Sequence, residues 1–314
     1  MFPVLATLRF GGRAIGVHSY GVLLAVGLAC GVAFAYHEGK RQKLDGGRVL
    51  DLAFWLIVVG LIGARLAYIV VNADDFARIC AGSGVPARGA GAIWTDCTRA
   101  LRVWEGGLVF YGGVIAAAAF AFRFARREGW QPAQIADLFA PALALGHAFG
   151  RLGCFAAGCC YGKEVGGALG SGWGVRFPHG SVAFDQYVAA GLSPSAFTPR
   201  LHPTQLYEAA GEMVIFTLLL ALRGRARSRP GALLLGYLGL YALLRFVVEI
   251  FRGDYARKFV IAFDTPRLAE RLHLPPGEPV LLSVGQLVSL LVMLAVGVAL
   301  VRRWRQQQRV TPRV

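Results

Sequence analysis

Seven apolar runs dominate this sequence, each close to the roughly 20 residues that a helix rising about 1.5 Å per residue needs to cross a hydrocarbon core. They lie near 15–36, 49–72, 107–125, 135–158, 205–222, 231–251 and 281–301. A chain of 314 residues that is 56% hydrophobic and only 16% charged has too little polar surface to coat a soluble globule, so a bundle in a bilayer is the fold it allows. The expected architecture is all-α and polytopic: about seven transmembrane helices forming a single integral membrane domain over residues 1–314. The first run is too long for a signal-peptide core, and no clear small-residue cleavage site follows it, so it reads as a span. The fourth carries Asp137, Pro141, His147 and Arg151, and a bend or partial insertion is expected there.

Basic loops resist translocation while acidic residues contribute little, so Lys and Arg placement sets the orientation. Alternate connections carry Lys40, Arg41, Lys43 and Arg48, then Arg123, Arg126 and Arg127, then Arg223, Arg225, Arg227 and Arg229, and finally a tail with Arg302, Arg303, Arg305, Arg309 and Arg313. Those segments hold only Glu38, Asp45 and Glu128 as acids. The expected topology has the N-terminus outside and the C-terminus inside, with ordered loops on the outer side near 73–106, 159–204 and 252–280. The net charge of +15 is then mostly a topogenic signal. No basic stripe interleaved with aromatics argues for nucleic acid; anionic membrane lipid is the expected partner of this charge.

The informative residues are ionisable groups that cost about 2.5 to 3.5 kcal/mol each at a helix centre on insertion scales and are present anyway. They are Arg65, Asp137, Arg151, Glu208, Glu212, Arg245 and Glu249. In the sixth run Tyr237, Tyr241, Arg245, Glu249 and Arg252 recur at spacings of three or four, along one helix face. That face is either an Arg245–Glu249 pair neutralising itself or a cavity in which Arg245 grips a phosphate with its bidentate fork. The fourth run sets His147 and Arg151 at i, i+4 before the glycine-rich stretch Gly150 to Gly162. At the mouth of the fifth, His202-Pro-Thr-Gln-Leu-Tyr-Glu208 starts a helix that Thr204 can cap and that points Glu208 inward. Cys80 and Cys97 share an outward loop where a disulfide is permitted. Cys154, Cys159 and Cys160 offer three thiols, short of the four ligands of a closed zinc site, so no metal and no cofactor is assigned.

Together these motifs resemble the prolipoprotein diacylglyceryl transferase family. The resemblance runs through Tyr20-Gly21, Gly63-Ala-Arg65, Trp104-Glu-Gly-Gly107, Tyr111-Gly-Gly113, Asp137 with Ala140-Pro141, Gly150-Arg-Leu-Gly153, His202 to Glu208, Tyr241 to Arg252 and Ser283-Val-Gly-Gln286. It implies a bacterial inner-membrane transferase that takes the diacylglyceryl group of phosphatidylglycerol to the lipobox cysteine of a prolipoprotein signal peptide, at a site facing the periplasm. Carried over residue by residue, it implies catalytic roles for Arg151, Arg245, His202, Glu208, Tyr111 and Glu249. Substrate binding falls to Tyr20, Arg65, Gly112, Gly113, His147, Cys154, Gly162, Gln205, Tyr207, Tyr241 and Arg252. Three positions depart from the family pattern: Tyr111 stands where a histidine is usual, Cys154 where asparagine is, and Cys159 where glutamate is. The alternative readings are a related transferase with another donor or acceptor, and a non-catalytic lipid-binding or transport protein.

Overall fold

The computed structural model describes residues 4–10, 13–80, 107–166, 173–191, 196–253, 259–263, 266–274 and 281–310. The chain opens as an antiparallel hairpin of β1 (Val4–Phe10) and β2 (Arg13–His18). The first long helix, α1 (Ser19–Arg41), therefore starts later than the expected 15 and runs on into its basic end. Next come α2 (Gly46–Val71), the short α3 (Ala73–Cys80), α4 (Phe110–Arg127) and α5 (Pro132–Ala157). Then α6 (Val182–Ala189), α7 (Thr204–Ala226) and α8 (Ala232–Phe251) precede β3 (Phe259–Phe263), α9 (Pro266–Arg271), β4 (Leu281–Ser283) and α10 (Val284–Val310).

Six of these helices, α1, α2, α5, α7, α8 and the Val284–Gln306 part of α10, are long and apolar enough to cross a membrane. The helix of the remaining run, α4, is 18 residues long and ends on Arg123, Arg126 and Arg127. That charge is why length and composition exclude it from the six. Large apolar side chains such as Phe54, Leu66, Val70, Leu291 and Leu294 stay exposed, the arrangement a lipid solvent permits. The fourth run, where a bend or partial insertion is expected, forms α5, which continues through Pro141 as one helix.

Two compact units are distinguishable, Ala35–Ile135 and Met1–Phe34 with Ala136–Val314. In the first, α4 runs antiparallel along α2. Arg48 meets Glu128 at 3.5 Å, Trp55 faces Phe120, and Gly60 and Gly63 lie against Gly113 and Gly112. A Cβ on Gly112 would sit 2.6 Å from the Gly63 carbonyl oxygen, so only glycine allows these backbones to approach so closely. Asp45 caps α2 by accepting from the Gly47 and Arg48 amides, which stabilises its N-terminus.

In the second unit, Ile215, Leu219, Leu233 and Tyr237 of α7 and α8 pack with Ala140 and Ala144 of α5. Residues beyond α5 fold back as a cap around buried Tyr161, Phe177, Ala183, Tyr187 and Leu201. Bridges of Glu164 and Val175 to Leu201, and of Pro178 to Phe197, hold the cap in register. Asp137, flagged as a costly intramembrane charge, accepts from the amides of Gly231 at 2.6 Å and Leu234 at 2.9 Å. A carboxylate on the free amides of a helix start offsets their partial positive charge. Asp137→Ala should therefore cost about 1–2 kcal/mol, read as a lower melting temperature of the detergent-solubilised protein, with Asp137→Asn recovering most of the loss.

Candidate active site

Three helices of the unit Met1–Phe34 with Ala136–Val314 each bring a pair of polar residues one turn apart: His147 and Arg151 from α5, Glu208 and Glu212 from α7, Arg245 and Glu249 from α8. One-turn spacing places both members of each pair on one face. The three faces converge on Glu208, which is almost fully buried. Its Oε1 lies 3.1 Å from a terminal nitrogen of Arg151 and accepts from the Tyr241 hydroxyl at 3.4 Å. Its Oε2 accepts from Arg245 at 3.4 Å. One carboxylate thus holds two guanidinium groups from two other helices.

Arg245 is fixed on its far side as well, donating to Glu249 at 2.7 Å. Glu249 also meets Arg252 at 3.8 Å and accepts from the Ser283 hydroxyl at 3.0 Å. Ser283 is the cap of α10. Its backbone amide donates to the Gln286 side chain, and the Gln286 amide donates back to its hydroxyl, the reciprocal pattern of a capping box. Arg151, Arg245 and Arg252 stand against Glu208, Glu212 and Glu249, so the cluster balances its charge, as burial in a low-dielectric bundle requires.

His147 joins through both nitrogens. Nδ1 lies 2.6 Å from Glu212, and Nε2 accepts from Nε of Arg151 at 3.2 Å. Arginine can only donate, so Nε2 carries the lone pair and Nδ1 the proton. Glu212 therefore orients the ring. Sequence reasoning marked Glu212 as a costly charge but gave it no role in the site; its spacing of four from Glu208 was the available signal.

The cap closes over the end of the cluster. Gly162 bridges Arg252, and its amide donates to the His202 carbonyl. A Cβ at Gly162 would lie 2.5 Å from that carbonyl oxygen. Trp173, unremarked in the sequence as a site residue, donates from its indole to Tyr207, whose hydroxyl meets His202 Nδ1 at 3.1 Å. Gln205 donates to the Cys159 carbonyl and Thr204 to the Cys160 carbonyl. Thr204 is thus not the helix cap expected of it: Pro203 takes the cap position, and the Thr204 hydroxyl ties α7 to the cysteine turn. At the start of α1, Tyr20 packs against Gly153, one residue before Cys154.

The remaining candidates belong to the unit Ala35–Ile135. Arg65 donates to the Gly107 carbonyl at 2.9 Å and lies over the Tyr68 ring. Gly112 and Gly113 form the seam with α2, and Tyr111 is exposed. Cys80 is disulfide-bonded, and Cys97, with which it shares the expected outer loop, lies outside the described residues.

Fold and cluster together define a class: a multi-pass helical membrane protein with a charge-balanced Arg–Glu–His cluster buried in its bundle under an ordered cap. The chain belongs to the prolipoprotein diacylglyceryl transferase family, whose model matches residues 7–302. It is similar to the phosphatidylglycerol–prolipoprotein diacylglyceryl transferase of Clostridium tetani, 27% identical over 308 residues covering 98% of this chain and all of the relative. It is also similar to that of Xanthomonas euvesicatoria pv. vesicatoria, 30% identical over 292 residues and covering 88% of each chain.

Burial pushes the His202 imidazole below its ordinary range, and a backbone contact from His273 offsets part of that. The unfolded chain then takes up a proton that the folded chain declines, so stability rises with pH through this range. The melting temperature should fall as pH drops below about 6.5, the usual histidine value, and His202→Gln should flatten that part of the profile. Glu208→Ala should melt far below the parent, by about 3–5 kcal/mol, because it leaves two buried guanidinium groups without their shared counterion; thermal unfolding in detergent measures it.

Proposed function

We propose that this chain transfers the diacylglyceryl group of phosphatidylglycerol to the lipobox cysteine thiol of prolipoproteins, forming a thioether and releasing glycerol phosphate. The single observation that carries the reading is the pair Arg151 and Arg245 held on one carboxylate. The leaving group is a phosphate ester, and two planar guanidinium forks at a fixed separation match its oxygens and stabilise the charge that grows on departure. Glu208 keeps the two arginines in place until the headgroup phosphate displaces it. Glu249 and Arg252 support Arg245 from below, while Tyr241 and Tyr20 flank the lipid. Cys154, Gly162, Gln205 and Tyr207 form the wall towards the cap, where the peptide enters past His202.

The same reading makes the chain one working membrane domain in a bacterial inner membrane, with N-terminus and cap on the periplasmic side. The antiparallel run of α4 along most of α2 supports α4 as the seventh crossing. Its three arginines then end on the same side as Lys40, Lys43 and Arg48, as the positive-inside rule asks. Within the unit Ala35–Ile135 the same reading keeps Arg65, Gly112 and Gly113 as substrate-binding residues and Tyr111 as a catalytic one.

Mass spectrometry of a lipobox peptide incubated with the purified protein and phosphatidylglycerol tests the reading. A diacylglyceryl mass gain on the cysteine is expected, reduced about 100-fold in Arg151→Ala and in Arg245→Ala. No gain from folded parent protein would overturn it.

A further inference from the structure

Two of the candidate bases are engaged, whereas His202 Nε2 has no hydrogen-bond partner among the described residues. His147 gives its Nε2 lone pair to Arg151, and both oxygens of Glu208 hold arginines. Tyr111 belongs to the unit Ala35–Ile135 and is exposed. A bound metal ion is a further way to make the acceptor sulfur nucleophilic, because the thiolate and not the thiol attacks carbon.

Beside the arginine cradle stands a group of thiols to which the proposed reaction gives no chemical step. Cys154 ends α5 three residues after Arg151, and Cys159 and Cys160 follow in the turn that Gln205 and Thr204 fasten to α7. The three Sγ atoms all lie within 4.8 Å of one another, half-buried. Zinc bound tetrahedrally by thiolates at about 2.3 Å spaces its sulfurs about 3.8 Å apart, so shifts of roughly 1 Å would seat an ion among these three. The one hydrogen bond in the way is the long S–H contact from Cys159 to the Cys154 carbonyl, at 3.7 Å. Three thiolates on a divalent ion carry one net negative charge, and Arg151 and Arg252 lie within electrostatic reach of Cys160 to offset it. Three protein ligands are too few for a closed structural site. They match an open one, which keeps a position for substrate.

We propose that Cys154, Cys159 and Cys160 form a three-thiolate site for a zinc-class divalent ion whose fourth position takes the acceptor cysteine. This rests on the transferase reading. The incoming thiol gives its proton to water as it binds the ion, since a coordinated thiol is held deprotonated. Its sulfur then attacks the glyceryl carbon: the S–C bond forms, the C–O bond breaks, and the electron pair leaves on the glycerol phosphate held by Arg151 and Arg245. The ion keeps its oxidation state, and the neutral thioether, a weaker ligand, leaves it.

The test uses the full-length protein in detergent, reduced at these cysteines, stripped with a chelator and titrated with Co(II). One ion per chain is expected, with thiolate-to-cobalt charge-transfer absorption and the visible bands of a tetrahedral site. Cys154→Ser, Cys159→Ser and Cys160→Ser should each weaken binding at least tenfold without loss of helical signal or melting temperature, and Cys30→Ser should not. A lipobox peptide should shift the visible bands, and its Cys→Ser analogue should leave them unchanged. Absence of the thiolate band in folded parent protein overturns the site. Bands that ignore the peptide thiol overturn its role. Undiminished transfer by fully stripped protein overturns the inference while the transferase reading stands; a peptide-sensitive site without transfer sustains the ion and removes that reading.

Discussion

A single buried carboxylate organises the larger of the two units. Glu208 binds Arg151 of α5 and Arg245 of α8 from its place on α7, so three helices share one charged junction. In a medium of low dielectric such a junction is stable only when every charge is matched and every donor has an acceptor. Glu249 and Ser283 stand behind Arg245, and His147 and Glu212 behind Arg151.

The bilayer shapes the rest by withdrawing the hydrophobic effect as a force between helices. What remains is close backbone approach and satisfied polar ends. The Gly63–Gly112 seam supplies the first, and three carboxylate or amide caps supply the second: Asp45 on α2, Asp137 on α8 and Gln286 on α10. Asp137 shows that an intramembrane charge has more than one use. It spends its acceptors on the amides at the start of α8, whereas Glu208, equally costly, spends them on arginine side chains.

The helical runs, their apolar character and the one-turn spacing of Tyr241, Arg245 and Glu249 were legible because period and hydropathy are local properties. The same reading missed the opening hairpin, since alternation over residues 4–18 blends into the first apolar run. The capping box Ser283-Val-Gly-Gln286 was visible as a motif, but its link to Glu249 was not. The paired glycines Gly112 and Gly113 marked a close backbone approach, and the backbone that approaches them is that of α2.

The sequence by itself determined a membrane chain, its spans, its basic loops and the family to which its motifs belong, because each is written in contiguous residues. Only the tertiary structure decided which charges meet. Glu212 became the partner of His147, the lone pair of His147 went to Arg151, and three cysteines that spacing left unassigned came within 4.8 Å of one another. The physical reason is that pairing energies in a low-dielectric interior depend on distances across helices, and no periodicity along one helix encodes them.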